Sequence, residues 1–387
     1  MKILVVLSRF PYPLEKGDKL RAYHQIRCLA KSHDIYLAAL HEQPVSDSDL
    51  QQLKPYCKEI FLLEQNRIQQ GFNIAKAFFK GLPLQCGIFY NSNSQKQLDE
   101  IVAKVQPDHI YCQLFRMAEY VTRYPIKKTL DYQDVFSKGM LRRYEKAAWF
   151  KKPLFKMEYK RIAKYEARIF NLFDGKTIIT AVDRDLIPHE NKGKITVVAN
   201  GVDFDQFRYH GEEKTYDLIF SGNMNYAPNV DAAQYLATEI FPLLKKEFPN
   251  LKLVLSGATP APSVKALANE NIIVTGWVDS MAEWYAKSKI FIAPMRMGTG
   301  LQNKLLEAMA MQLPCITSPL AGKPLTNAEN EGAIITCSTT SGYVEAIRRL
   351  LEDKTYYQKL STTGNQYVNN NYDWQSATQE LENLIIQ

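Results

Sequence analysis

The chain has 387 residues, a length that suits two ordinary domains better than one. Its 46% hydrophobic and 23% charged residues are those of soluble globular proteins. The formal net charge is +7, yet no recognisable nucleic-acid module accompanies it, which argues against a nucleic-acid partner.

The opening MKILVVLSRFPYP holds an apolar run far too short for a membrane span and lacks a signal-peptide cleavage pattern, so it reads as a first strand. No other stretch approaches the roughly 20 apolar residues a span needs. Cys28, Cys57, Cys86, Cys112, Cys315 and Cys337 are scattered without a C-x-x-C pair. That speaks against a zinc site or a disulfide framework and for a reducing compartment, with the cytoplasm as the expected location. Cys112 and Cys315 read as small core residues.

After KILVVLS (2–8) come a Pro/Gly loop, an amphipathic stretch from Lys19 to Lys31, and strands DIYLAAL (34–40) and EIFLLE (59–64). Helical stretches follow near Ile68–Lys80 and Gln95–Val105, then strands DHIYCQL (108–114) and KKTLDYQ (127–133). Residues 137–168 concentrate Lys and Arg, interleaved with Trp149, Phe150, Leu154, Phe155, Met157 and Tyr159. Two readings stand for this segment: amphipathic helices with a solvated basic face, or a peripheral contact with an anionic membrane surface. GKTIITA (175–181) and KITVVAN (194–200) are further strands, and the Asn200-Gly201 turn closes the half.

The pattern restarts after a polar linker. Strand YDLIFSG (216–222) precedes a long helix, 230–248, and strands LKLVLSG (251–257), IIVTGWV (272–278), KIFIAPM (289–295) and PCITS (314–318) follow with helices between them. Strands separated by helices imply parallel sheets covered on both faces. The expected fold is α/β: two doubly wound, Rossmann-like domains facing each other across a cleft, with ligands beyond the carboxyl ends of the strands. The expected boundaries are 1–200, a linker at 201–214, a second domain at 215–371, and a closing helix at 372–387.

In IAPMRMGTGLQNKLLEAMAMQLPCITS a strand ends at Pro294, a glycine loop follows, and a helix begins near Leu301. The first amides of such a helix lack internal partners and, with the helix dipole, suit a diphosphate. Gly298 and Gly300 let a ligand approach the backbone, and Lys304 places a cation in the first turn. Asn303 and Glu307 share a face, and a carboxylate there accepts from both hydroxyls of a ribose. A plain glycine loop with a solvated Lys is the alternative, but Glu307 is flanked by Leu305, Leu306, Ala308 and Met309, which calls for a specific partner.

These stretches, with NGVDFDQF (200–207), FSGNMNYAPNVDAAQYL (220–236), VTGWVDSMAEWYAKSKIFIAPM (274–295) and RFPYPLEKGDKLRAYHQIRCLA (9–30), resemble the family 4 glycosyltransferases over essentially the whole chain. Those are retaining nucleotide-sugar enzymes of the GT-B fold, and the likeness extends to bacterial polysaccharide-pathway members. The resemblance implies that Glu307 holds the nucleotide ribose and that Gly300 and Leu301 begin the helix beneath the diphosphate. Gly222 matches the glycine after the first strand of the second domain, Val278 the backbone beside the base, and Gly17 the first-domain glycine loop that closes on the diphosphate-sugar. The closing helix 373–387 resembles one that crosses back to the first domain.

Three positions depart from the family. Thr299 stands where relatives often carry an acid facing the donor sugar. Asn223-Met224-Asn225-Tyr226 replaces a frequent basic pair, leaving Lys304 as the cation. Gln133 replaces a histidine near the reacting sugar, with Asp131 and Asp134 beside it. Asp134, Asp18 and Arg21 are candidates for the sugar and acceptor side, although Asp18 equally suits a helix N-cap.

The resemblance implies transfer of a hexosyl or N-acetylhexosaminyl group from a nucleoside diphosphate sugar to a hydroxyl on a saccharide, lipid-linked or other acceptor. Configuration is retained, with no cofactor. Two D-x-D strings, Asp183-Arg184-Asp185 and Asp203-Phe204-Asp205, do not sit at strand ends of the metal-binding kind, so no metal is expected. A nucleotide-sugar epimerase and a non-catalytic binding subunit are the rival readings.

Overall fold

The structure, a computed structural model, describes every residue except Glu42, Asn66 and Thr299, and omits the side chains of 67–69 and 146. The chain divides into two compact units. Unit 1 comprises Met1–Ala199 together with Trp374–Gln387, and unit 2 comprises Asn200–Asp373. Residues 201–214, read from sequence as a linker, are part of unit 2, where Val202 bridges Asp373 and its amide donates to the Tyr372 carbonyl.

Unit 1 is built on seven strands: β1 (Lys2–Leu7), β2 (Asp34–His41), β3 (Glu59–Glu64), β4 (His109–Gln113), β5 (Lys128–Asp131), β6 (Gly175–Ile178) and β7 (Thr196–Val197). Their order is β3-β2-β1-β4-β5-β6-β7 and every pairing is parallel. The continuous apolar run of β1 follows from burial on both faces. Leu4 and Val6 join one core with Ile110's neighbours and the helix Lys152–Phe170, while Ile3, Val5 and Leu7 join a second with the helix Gly17–Leu29. Leu381 and Ile385 of the final helix, Trp374–Ile386, complete that second core. The Trp374 indole also stacks on His24 at 4.8 Å.

Unit 2 holds β8 (Tyr216–Ser221), β9 (Leu253–Ser256), β10 (Ile272–Gly276), β11 (Ser288–Ala293), β12 (Cys315–Thr317) and β13 (Ile335–Thr336), in the order β10-β9-β8-β11-β12-β13, again all parallel. β13 was absent from the sequence reading because two residues carry no period. The long helix expected at 230–248 is instead two α-helical pieces, Ala227–Tyr235 and Phe241–Glu247, joined by a π-helical turn at Leu236–Ile240. Pro242 is the physical reason, since it offers no amide to the preceding turn. In each sheet the strand order reverses beside the first strand, at β1/β4 and at β8/β11, and parallel sheets receive ligands beyond the carboxyl ends at such points.

Candidate functional site

β8 ends at Ser221 and hands over to Gly222, whose φ of 151° lies outside the range of ordinary residues. A side chain there would also collide. Its Cβ would stand 2.6 Å from Asn229 Nδ2 and 2.9 Å from Lys304 Nζ. Gly222 is therefore the close-approach position at the switch point of unit 2. Asn223 follows as a turn former, its Oδ1 accepting from the Asn225 amide and the Thr259 hydroxyl at 3.0 and 3.2 Å.

β11 leads into the loop bearing Gly298 (φ 116°) and Gly300 (φ 74°), then Leu301, and the helix begins at Asn303 rather than Leu301. Thr299 lies outside the described residues. Gln302, ahead of the helix Asn303–Ala310, makes no side-chain cap among the described residues, and the Leu305 amide donates to the Gln302 carbonyl at 2.9 Å, so the Asn303 and Lys304 amides are the ones placed to meet an anion. Lys304 turns from this first turn back to β8. Its Nζ donates to Asn229 Oδ1 at 2.7 Å and lies 4.7 Å from the Phe220 ring centre. Asn229 is held in turn by donating to the Asn223 carbonyl at 3.0 Å.

Glu307 lies one turn further, three residues after Lys304 and on the same side of the helix. Its Oε2 accepts from the buried Tyr285 hydroxyl at 3.3 Å, and that hydroxyl also pairs with Ser221 Oγ at 2.6 Å. Burial raises Tyr285 well above its ordinary value and Glu307 adds to the rise, so the phenol stays protonated. Burial pulls Lys304 down to about 7 against the attraction of Glu307, and pushes Glu307 up to about 7 against Tyr285 and Lys304. Asn303, expected to face the ligand with Glu307, accepts from Asn200 Nδ2 at 3.0 Å. Asn200 thus tethers the helix start, while the turn expected at Asn200-Gly201 is not formed there and the chain turns at 204–206 instead. Val278 lies half-buried two residues beyond β10. Asn229, Tyr285 and Ser221 are not marked in the sequence, because they come from three separate segments with no spacing that relates them.

The unit 1 candidates divide. Gly17 is the exposed first residue of the helix Gly17–Leu29, with open space around its Cα. Asp18 is not the N-cap, which is Lys16 without a side-chain bond; Asp18 sits inside the first turn and pairs with Arg9 at 2.7 Å. Arg21 does not face a ligand. It is fully buried, bonded to Asp131 at 2.6 and 3.2 Å and to the Val198 carbonyl at 2.8 Å. Gln133 takes a positive φ of 61° just past β5, is buried, and its Nε2 has no hydrogen-bond partner among the described residues. Asp134 beside it accepts from the Val135 amide at 2.7 Å.

The D-x-D carboxylates make local contacts. Asp183 Oδ2 accepts from the hydroxyl of its helix N-cap, Thr180, Asp185 Oδ1 accepts from Arg184, and Asp203 Oδ1 accepts from the Asp205 and Gln206 amides. Among the described residues no three His, Cys, Asp or Glu gather as a metal would require.

A two-unit parallel α/β chain with an uncapped helix, a Lys–Glu pair and a close-approach glycine at one switch point has the GT-B fold of glycosyltransferases. The solved structure of Anabaena HepE with UDP and glucose superposes with a TM-score of 0.71 at 10% identity, over 99% of both chains. Residues 215–353 match the family described as "Glycosyl transferases group 1". It is 22% identical to an "Uncharacterized 44.6 kDa protein in cps region" of Klebsiella pneumoniae, over 96% of each chain. A second relative, the "Capsular polysaccharide biosynthesis glycosyltransferase CapM" of Staphylococcus aureus, is 23% identical over 50% of this chain and 55% of its own.

Proposed function

We propose that this chain is a retaining glycosyltransferase that moves a hexosyl or N-acetylhexosaminyl group from a nucleoside diphosphate sugar to a hydroxyl acceptor in polysaccharide or glycoconjugate assembly. The observation that carries this reading is the cluster at the end of β8: the uncapped helix Asn303–Ala310 and Lys304 for the diphosphate, and Glu307 for the ribose. The UDP in the HepE structure and the capsular role in the CapM name support it.

In the step itself the bond from the anomeric carbon to the phosphate oxygen breaks while the acceptor oxygen bonds that carbon on the same face. The acceptor proton passes to the departing phosphate. Helix amides and Lys304 stabilise the leaving diphosphate, so no protein base is required. A panel of UDP, GDP, ADP and their sugars tests the reading by thermal shift, which rises with specific ligand by mass action. One nucleoside diphosphate should raise the melting temperature, and Glu307→Ala should remove the rise. Conversion of a donor sugar to its epimer without nucleotide release would overturn the assignment.

We also infer that unit 1 lies against an anionic membrane surface, which would suit a lipid-linked acceptor. Among the described residues no helix is long and apolar enough to cross a membrane. Instead Trp149 (83% exposed), Phe150 and Leu154 protrude where the helices Phe136–Lys146 and Lys152–Phe170 meet. Leu154, Met157 and Arg161 share one face of the second helix. Arg161 lies 4.6 Å from the ring of Phe78, whose neighbour Phe79 is 86% exposed and shares a face with Phe72. This apolar line is flanked by exposed Lys76, Lys80, Lys151, Lys156 and Lys160, the pattern of an interfacial contact. Phe79→Glu with Trp149→Glu should reduce sedimentation with phosphatidylglycerol vesicles by roughly tenfold or more. Unchanged binding, or equal binding to phosphatidylcholine alone, would refute the contact.

A further inference from the structure

Glu307 has no cation of its own. Lys304, three residues earlier on the same side of the helix, gives its ammonium to Asn229, and no ion pair reaches Glu307 among the described residues. What holds the carboxylate is a phenol, with Tyr285 Oη donating to Glu307 Oε2 at 3.3 Å. Burial pushes Glu307 up, and of the two groups that oppose burial the Tyr285 hydroxyl outweighs the Lys304 charge.

Tyr285 is itself fixed. It lies in the helix Met281–Ala286, whose first turn is capped by the Ser280 side chain, and it is fully buried. Its ring meets Phe291 of β11 edge-on at 5.8 Å and Phe207 at 6.2 Å. Its hydroxyl lies 2.6 Å from Oγ of Ser221, the last residue of β8 and the neighbour of the close-approach Gly222. The direction of these bonds follows by elimination. An ionised carboxylate only accepts, so the Tyr285 proton points to Glu307. The phenol oxygen is left to accept, and the Ser221 hydroxyl donates to it. The result is a one-way relay from Ser221 through Tyr285 to Glu307, in which each bond polarises the next.

The relay touches one carboxylate oxygen. Glu307 Oε1 has no hydrogen-bond partner among the described residues, and Glu307 is half-buried rather than sealed. Oε1 and the remaining lone pair of Oε2 give two acceptor directions at a fixed separation, which suits two neighbouring hydroxyls. An arginine in the place of Tyr285 would take both oxygens, as Arg21 takes both of Asp131. A neutral phenol orients the carboxylate and leaves its charge to the ligand.

We propose that Tyr285, set by Ser221, is the positioning residue of the donor site: it pins Glu307 by one oxygen and so presents the carboxylate to the vicinal hydroxyls of a ribonucleoside diphosphate. The inference rests on the donor reading, in which Glu307 takes the ribose. Without the Tyr285 hydroxyl the carboxylate turns freely and loses the larger of its two supports, so the grip on the diol weakens while the rest of the ligand is held as before.

The test is calorimetry on the full chain at pH 8 with UDP, GDP and ADP, each paired with its 2′,3′-dideoxy counterpart. Phosphate and base contacts are common to both members of a pair and cancel in the ratio of their affinities. In the parent protein at least one ribonucleotide should bind roughly 10²-fold more tightly than its dideoxy form. Glu307→Ala should bind the two alike. Tyr285→Phe keeps the ring and should weaken the ribonucleotide about tenfold while leaving the dideoxy form within about twofold. Ser221→Ala should act in the same direction by about threefold, and it decides the matter if Tyr285→Phe does not fold. Equal loss for both members of the pair would make the relay a structural contact, and no loss for either would remove it from the site; each overturns the proposal. A ribose preference that survives Glu307→Ala would instead refute the donor reading at Glu307, whatever the relay variants show. Failure of all three ribonucleotides to bind would overturn both.

Discussion

Lys304→Met should lower kcat by about 10² to 10³ while leaving the melting temperature of the unliganded protein within a few degrees. The size follows from the site. Lys304 is the cation that meets the helix start at the end of β8, and it is held there by Asn229 rather than by a carboxylate. Its ammonium is therefore ready to meet charge that grows on a leaving diphosphate. The same variant has a pH signature. Burial brings Lys304 down to about 7 in the unliganded site. A bound diphosphate favours the charged amine and raises that value, so binding takes up a proton above pH 7. Affinity should then fall as pH rises from about 8, by up to tenfold per unit, until the liganded value is reached. The second phosphate ionisation is complete by then, being near 6. Glu307, raised to about 7, is already ionised at pH 8 and adds nothing to the slope. Calorimetry between pH 8 and 9.5 in buffers of different ionisation enthalpy should show proton uptake in the parent protein and none in Lys304→Met. A flat affinity profile in the parent would remove Lys304 from the phosphate.

What the sequence disclosed and what it hid can be traced to particular residues. Strands such as KILVVL and LVLS were legible because burial on both faces of a parallel sheet leaves an unbroken apolar run. Lys304 and Glu307 were legible because a charge inside an apolar helix needs a reason. Their partners were not: Asn229, Tyr285 and Ser221 reach the pair from other elements, and only the folded sheet brings β8 beside β11. Asp18 looked like a cap because its residue type suits one, but the helix begins one residue earlier, at Gly17. Asp18 then faces Arg9 and Arg116, a pairing that spans 98 positions of sequence in the second case. Local signals could not show that.

Arg21 is the clearest case of a charged residue whose role is decided by tertiary contacts, and it carries the largest expected stability effect. As an acceptor-side residue, its loss would reduce transfer and spare the fold. The structure predicts the reverse. Arg21 is 0% exposed and bonds both oxygens of Asp131, itself 0% exposed, while Tyr111 and Thr177 add hydroxyl donors at 3.1 and 2.9 Å. It also bonds the Val198 carbonyl, just past β7, so this one side chain ties the helix Gly17–Leu29 to the ends of two strands. Arg21→Met strands the Asp131 charge in the core and should destabilise the protein by about 3–5 kcal/mol. For a unit of this size that is a fall of roughly 10 °C in the melting transition. Arg21→Met with Asp131→Leu removes both charges and should recover most of the loss, because the penalty lies in the unpaired ion and not in the missing pair. Nucleoside diphosphate binding by the folded fraction should be the same in all three proteins. Single and double variants melting alike would show that the pair is not coupled. A stable Arg21→Met that binds nucleotide but fails to transfer sugar would return Arg21 to the acceptor side.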